Sequence, residues 1–198
     1  MNAAVVFALM ATARAALLRV ATRADELALA ALMKQSAAAL FPRFYDDATA
    51  PSAVRYVAQI DPTLLADGTY YVLEANGEAV ACGGWSRRDR LYTGSGDAAG
   101  DARELDPATE PARVRAMFVR DDWTRRGLGR RILDECEAAA RREGFRMLSL
   151  LATLPGVPLY LAYGFRALDE VGVVLPDGVV LACVAMEKEL SGTTDRDR

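Results

Sequence analysis

The sequence predicts an α/β domain of the α+β kind, with a mixed, mostly antiparallel sheet and a central βαβ unit. Three observations carry this. β-rich runs are joined by short turns at residues 75–77 and 176–178, which makes hairpins at both ends of the chain. Between them, from residue 113 to 152, a strand, a glycine turn, a helix and a second strand follow one another, which requires a parallel crossover. The chain is 198 residues long, 52% apolar and 26% charged, so it can bury one core without a linker or an internal repeat.

Residues 17–21 read as a first strand. Asp25 and Glu26 open a helix, where the macrodipole favours acids, and Leu29, Leu32, Met33 and Ala37 share one face before Phe41-Pro42 stops it. A second helix covers 51–59 and ends before Asp61-Pro62. Strands at 69–74 and 78–85 flank Ala75-Asn76-Gly77, a strong hairpin signal. Residues 94–111 are rich in Gly, Asp, Ala and Pro, and read either as a tolerated insertion or as a flap over a site. In the strand at 113–119, Val114, Ala116 and Phe118 face one way and Arg113, Arg115 and Met117 the other. The helix at 128–143 carries the apolar stripe Leu128, Ile132, Leu133, Cys136, Ala139 and Ala140, and Gly144 closes it. A strand at 146–152, a short helix at 155–163 and strands at 171–175 and 179–186 complete the chain.

Composition excludes several chemistries. There is no histidine, so no Ser-His-Asp triad, Cys-His dyad or histidine metal site exists. Cys82, Cys136 and Cys183 are far apart in apolar runs and read as reduced, buried thiols; with no cysteine cluster, no metal is expected. A net charge of -3 favours neither nucleic acid nor an anionic membrane as partner. No apolar run reaches roughly 18 residues, so no membrane span is expected. Residues 1–16 are apolar and alanine-rich, but no positive charge precedes them and Arg14 interrupts them; they read as a loosely held extension rather than a leader. The expectation is a cytoplasmic domain at 17–190 with a flexible tail at 191–198.

The segment Arg125-Arg126-Gly127-Leu128-Gly129-Arg130 lies between a strand and a helix. Glycines permit positive φ and let a ligand approach the backbone. The first amides of a helix lack intrahelical partners and carry partial positive charge, so with the arginines they form a phosphate nest. The dinucleotide pattern G-x-G-x-x-G fails because Ile132 holds its third position, and the Walker pattern fails too. On spacing alone, the two glycines serve either a ligand or tight helix packing.

The stretches VRAMFVRDDWTRRGLGRRILDECEAAARREGF and LPGVPLYLAYGF resemble the GNAT N-acetyltransferases, and the resemblance runs from residue 17 to 190. In that family the acyl-CoA pyrophosphate sits on a turn with the pattern [QR]-x-x-G-x-[GA]. Here Gly127 and Gly129 hold the small positions, while Thr124 stands where the family has Arg or Gln. The resemblance implies a GNAT-like sheet in which the strand before the turn splays from its parallel neighbour. It implies that Met117, Phe118 and Val119 meet the cofactor through main-chain groups, and that Arg125, Arg126, Gly127, Leu128, Gly129 and Arg130 hold its phosphates.

In many relatives a tyrosine at the Tyr160 position, in Tyr-x-x-x-Gly-Phe, protonates the departing CoA thiolate. Tyr163 is the alternative, and packing is the other role open to either. The implied activity is direct transfer of an acetyl group from acetyl-CoA to a primary amine of a small molecule or peptide, in a possible homodimer. Many relatives place a glutamate base on the strand before the turn; this strand offers Arg113 and Arg115. Glu74, Glu78, Glu110 and ordered water stay open as bases. Tyr45, Trp85 and Tyr92 are aromatic candidates for an acceptor pocket, and Asp46 and Asp47 are candidates to attract a cationic amine. The other reading is a catalytically degenerate acyl-CoA-binding domain that regulates a partner.

Overall fold

The computed structural model describes residues 16–90 and 102–190. The expectations for the first and last segments of the chain, and for Tyr92, lie outside the described residues, except that Ala16 is described. Among these residues seven strands form one sheet: β1 (Leu17–Val20), β2 (Tyr70–Ala75), β3 (Glu78–Ser86), β4 (Ala112–Val119), β5 (Met147–Thr153), β6 (Arg166–Val174) and β7 (Val180–Glu189). Their order is β1-β2-β3-β4-β5-β7-β6. Every neighbouring pair is antiparallel except β4 and β5, which run parallel. This is the mixed sheet with one βαβ unit that the sequence predicts.

Among the described residues five α-helices cover the two faces: α1 (Glu26–Leu40), α2 (Thr49–Tyr56), α3 (Pro62–Ala66), α4 (Leu128–Arg142) and α5 (Val157–Tyr163). Leu29, Leu32, Met33 and Ala37 of α1 bury on one face of the sheet with Tyr70, Val72 and Phe118. The stripe Leu128, Ile132, Leu133, Cys136, Ala139 and Ala140 of α4 buries on the other, with Val80, Leu148 and Leu150. The alternating burial of β5 follows, since Leu148, Leu150 and Ala152 point to α4 and their neighbours point away.

The turn chemistry matches the sequence. Asn76 and Gly77 both have positive φ, 54° and 78°, as a two-residue primed hairpin turn requires. The helix α3 is additional to the sequence reading. Asp61 is its N-cap, accepting from the Thr63 amide at 3.0 Å, and Pro62 occupies its first position. β6 begins at Arg166, five residues earlier than expected, because its first residues are exposed at the sheet edge and carry no apolar alternation.

One correction bears on the site. Strict alternation along β4 does not hold. Ala116 has φ +50°, and the β3–β4 register shifts there: Gly84 pairs with Arg115 but Cys82 pairs with Phe118. This is a β-bulge, and the extra residue reverses the inward set. Val114 therefore packs with the α4 core, while Phe118 packs with the α1 core. Tyr70 Oη donates to the Ala116 carbonyl at 2.7 Å and pins the bulge from α1's side of the sheet.

The stretch read as a long loop is partly anchored. Leu105 is buried, Arg88 and Glu104 form an antiparallel bridge, and Arg103 pairs with Glu110 and Asp89. Residues 94–101 of that stretch lie outside the described residues.

Candidate active site

β4 and β5 pair only at Ala112–Leu148 and Arg113–Ser149, then diverge for the rest of their length. Divergence opens β4's main chain. The Arg120 amide donates to the Val80 carbonyl at 3.0 Å, and Cys82 opposes Phe118 in the same register. Antiparallel pairing alternates, so the main-chain groups of Phe118 point to β3, and those of Met117 and Val119 point into the gap. Ser36 Oγ, from α1, donates to the Val119 carbonyl at 2.7 Å across that gap. Gly83, opposite the bulge, makes room for Met117: a Cβ there would lie 2.1 Å from the Met117 Sδ and 3.2 Å from Ile132 Cγ2.

Beyond β4 the chain turns into α4. Arg125 has φ +62° and Gly127 φ +77°. At Gly127 that conformation favours glycine, and a Cβ would meet nothing within 4 Å, so the space above it is open. Gly129 answers to packing instead: its Cβ would approach Leu159 Cδ2 of α5 to 2.8 Å. The first intrahelical bond runs from the Arg131 amide to the Gly127 carbonyl at 3.1 Å. The amides of Leu128, Gly129 and Arg130 are thus without helical partners at the positive end of a 15-residue helix, a site suited to an anion.

The gap and the turn belong to one cavity of about 610 Å³. Its lining includes Met117, Phe118, Val119, Arg125, Gly127, Leu128, Gly129, Arg130 and Tyr160. Arg126 is not in its lining: its guanidinium donates to the Asp122 carbonyl and stacks 4.6 Å from the Trp123 ring centroid. Thr124 does line the cavity, with its hydroxyl turned to the Asp121 carbonyl at 2.8 Å.

The two tyrosines of α5 separate cleanly. Tyr160 lines the cavity, and its ring packs edge-on against Phe165 at 5.7 Å. Burial pushes its phenol well above the usual value, and the buried Cys136 nearby adds to this, so it stays protonated at any physiological pH. Tyr163 lies outside the lining, between Lys188 and Arg130, whose cations sit 4.1 Å and 5.3 Å from its ring centroid. Cys136 and Cys82 are fully buried, and burial drives the Cys82 thiol up to about 12, so neither serves as a ready nucleophile.

The remaining candidates are placed elsewhere. Glu74 pairs with Arg19, Glu78 with Arg120 and Glu110 with Arg103, and none of the three lines the cavity. Asp46 caps α2 through the Ala48 and Thr49 amides. Trp85 is 1% exposed and packs on Phe145 in the core. Tyr45 acts as a brace: its hydroxyl donates to the Ala182 carbonyl at 2.9 Å and accepts from the Leu154 amide at 2.8 Å.

The sequence reading missed Arg115 and Asp61. Arg115 lines the cavity at 3% exposure, donating to Asp61 at 3.0 Å and to the Arg90 carbonyl at 2.9 Å. An arginine in mid-strand beside an Asp-Pro helix start was the available signal. Among the described residues no group of histidine, cysteine and acidic side chains is placed to hold a metal. No helix among them is long and apolar enough to cross a membrane.

Comparison with known proteins agrees with this geometry. The solved structure of a GCN5-related N-acetyltransferase from Rhodopseudomonas palustris superposes with a TM-score of 0.67 at 18% identity, covering 88% of this chain and 96% of that one. A PaiA N-acetyltransferase from Thermoplasma acidophilum, in complex with coenzyme A, gives 0.64 at 13% identity over 88% of this chain and 99% of that one. The acetyltransferase YncA from Salmonella typhimurium, with its cofactor acetyl-CoA, gives 0.56 at 19% over 93% and 99%. At these identities the likeness establishes the fold. No curated protein matches the chain. The family model for the acetyltransferase (GNAT) domain matches residues 66–167, which span β4, the turn, α4, β5 and Tyr160, and the chain belongs to the GNAT acetyltransferase family.

Proposed function

We propose that the protein transfers an acetyl group from acetyl-CoA to a primary amine of a small molecule or peptide by direct attack. The observation that carries the reading is continuity: one cavity joins the unpartnered amides of α4, the open edge of β4 and the Tyr160 side chain. The amides of Leu128, Gly129 and Arg130 hold the pyrophosphate, with charge from Arg125 and Arg130. Arg126, outside the lining, adds only to the wider positive field. The main chain of Met117 and Val119 takes the pantetheine arm as an added strand, while Phe118 contributes its side chain.

The amine nitrogen attacks the thioester carbon, a main-chain amide of β4 polarises the carbonyl, and the C–S bond breaks. Tyr160, protonated at neutral pH and lining the same cavity, gives the leaving sulfur a proton. Release of CoA thiol from acetyl-CoA, followed with a thiol reagent across a panel of amines, tests this. Amine-dependent release supports it. Tight binding of acetyl-CoA with no release under any amine would instead favour an acyl-CoA-binding regulatory domain.

A further inference from the structure

The inner wall of the cavity differs in character from the turn. It is formed by Leu40, Phe41, Phe44, Val57, Phe118 and Leu151. Phe44, 45% exposed, stands among the described apolar side chains most open to solvent. The wall is fixed: Phe41 packs edge-on to Tyr45 at 5.7 Å, and Tyr45 is braced to β7 and to the end of β5.

Among the described residues the cavity holds no carboxylate. Its charged residues are Arg115 on β4, whose buried guanidinium is tied to Asp61 and to the Arg90 carbonyl, and Arg125 and Arg130 at the turn; its phenol is that of Tyr160 on α5. The serine of α1, Ser36, has its proton committed to the Val119 carbonyl. Of the acids on neighbouring elements, Asp61 is engaged with Arg115, Asp46 with amides at the start of α2 and Glu78 with Arg120, and Asp47 does not line the cavity.

An alkylammonium entering this space would lose its water, meet no carboxylate among the lining residues and share the cavity with Arg125 and Arg130. It would also have to lose a proton with no base to take it. With a pKa near 10.4, the value for a lysine side chain, about one molecule in 2,500 is neutral at pH 7.

We propose that the acceptor is an aromatic primary amine, whose nitrogen is already neutral at physiological pH and whose ring fills the apolar wall. This rests on the acetyl-transfer reading above. The lone pair of the neutral nitrogen forms the C–N bond, the C–S bond breaks with its electron pair on sulfur, and one N–H proton is passed to sulfur by way of Tyr160. The products are an N-aryl acetamide and CoA thiol, and no proton is released to solvent, so no carboxylate base is needed.

The test uses the full chain. Acetyl-CoA binding is measured first by calorimetry, then CoA release with para-propylaniline, phenylpropylamine and spermidine from pH 6 to 9. The proposal predicts that the aniline exceeds phenylpropylamine by about tenfold or more in kcat/KM at pH 7. It also predicts an aniline rate nearly level with pH, while the alkylamine rate rises about tenfold per unit as its neutral fraction grows. Phe44→Asp, which adds a carboxylate at the wall, narrows that preference toward the cationic amines. If acetyl-CoA binds but spermidine or phenylpropylamine is preferred at pH 7, or no aniline reacts, the acceptor proposal falls and acetyl-CoA recognition stands. If acetyl-CoA does not bind, both fall.

Discussion

Replacing Asp61 by alanine should be among the most damaging single changes in the chain. Asp61 and Arg115 are 3% and 2% exposed at the side chain, and their ion pair of 3.0 Å is shielded from solvent. Arg115 sits next to the bulge residue Ala116, so the pair anchors β4 where it turns away from β5. Removing the carboxylate breaks this buried ion pair from one side, which typically costs about 3–5 kcal/mol. It also removes the α3 cap, worth about 1 kcal/mol. Arg115 keeps its bond to the Arg90 carbonyl and can draw water toward it, so the total belongs at about 3–4 kcal/mol. For a chain of this size that lowers Tm by roughly 6–15 °C. Urea denaturation of the wild type, Asp61→Ala and the double variant Asp61→Asn/Arg115→Met gives the comparison. The double variant should recover much of the loss, because it removes both members of the buried pair together. A loss under about 1 kcal/mol for Asp61→Ala, or no recovery in the double variant, would refute the anchoring role.

Three further outcomes follow from the same geometry. Tyr160→Phe should lower kcat by about 100-fold while leaving the acetyl-CoA Kd within a few-fold, since the ring and its packing on Phe165 are kept; steady-state kinetics with calorimetry separates the two effects. Gly83→Ala should cost about 1–3 kcal/mol, because its Cβ displaces the Met117 thioether toward the cavity, and should weaken acetyl-CoA binding in the same titration. Stability should be level from about pH 5 to 8 and fall on both sides. On the acid side, arginine partners hold Asp25, Asp67 and Glu110 below their usual range, Glu110 at about 2; their contribution is present above the unfolded value near 4 and is lost as pH falls through the folded one. On the alkaline side, burial holds the Cys82 thiol near 12, so its contribution is lost as pH rises past the unfolded value of about 8.5. Denaturation midpoints across pH check both limbs.

What the sequence discloses depends on whether the deciding physics is local. The hairpin at Asn76-Gly77, the stripe of α4 and the Gly127 turn were legible because positive φ and helical periodicity are written in neighbouring residues. The bulge at Ala116 was not, since Val-Arg-Ala-Met-Phe reads as unbroken alternation. What forces the bulge lies across the sheet, in Tyr70 Oη and in the space at Gly83. Asp61-Pro62 read as the end of a helix, although the same pair also begins one. Arg126 shared a motif with Arg125 and Arg130, but motif membership does not say what a side chain packs on; Arg126 stacks on the Trp123 ring and is not in the cavity lining. The apolar wall of the cavity is assembled from α1, the segment after it, β4 and β5, and no single stretch of sequence displays it.

The central claim is that the α4 turn and the splayed β4 form an acyl-CoA site. Thermal unfolding with acetyl-CoA, CoA, NAD and ATP, each in large excess, tests it most directly. A ligand at 100 times its Kd adds about 2.7 kcal/mol, which for this chain is a rise in Tm of roughly 5–10 °C. Acetyl-CoA and CoA should give that rise and NAD and ATP should not, and Gly127→Val should abolish it by straining the positive-φ turn. No shift with either CoA ligand, or an equal shift with all four, would contradict the account.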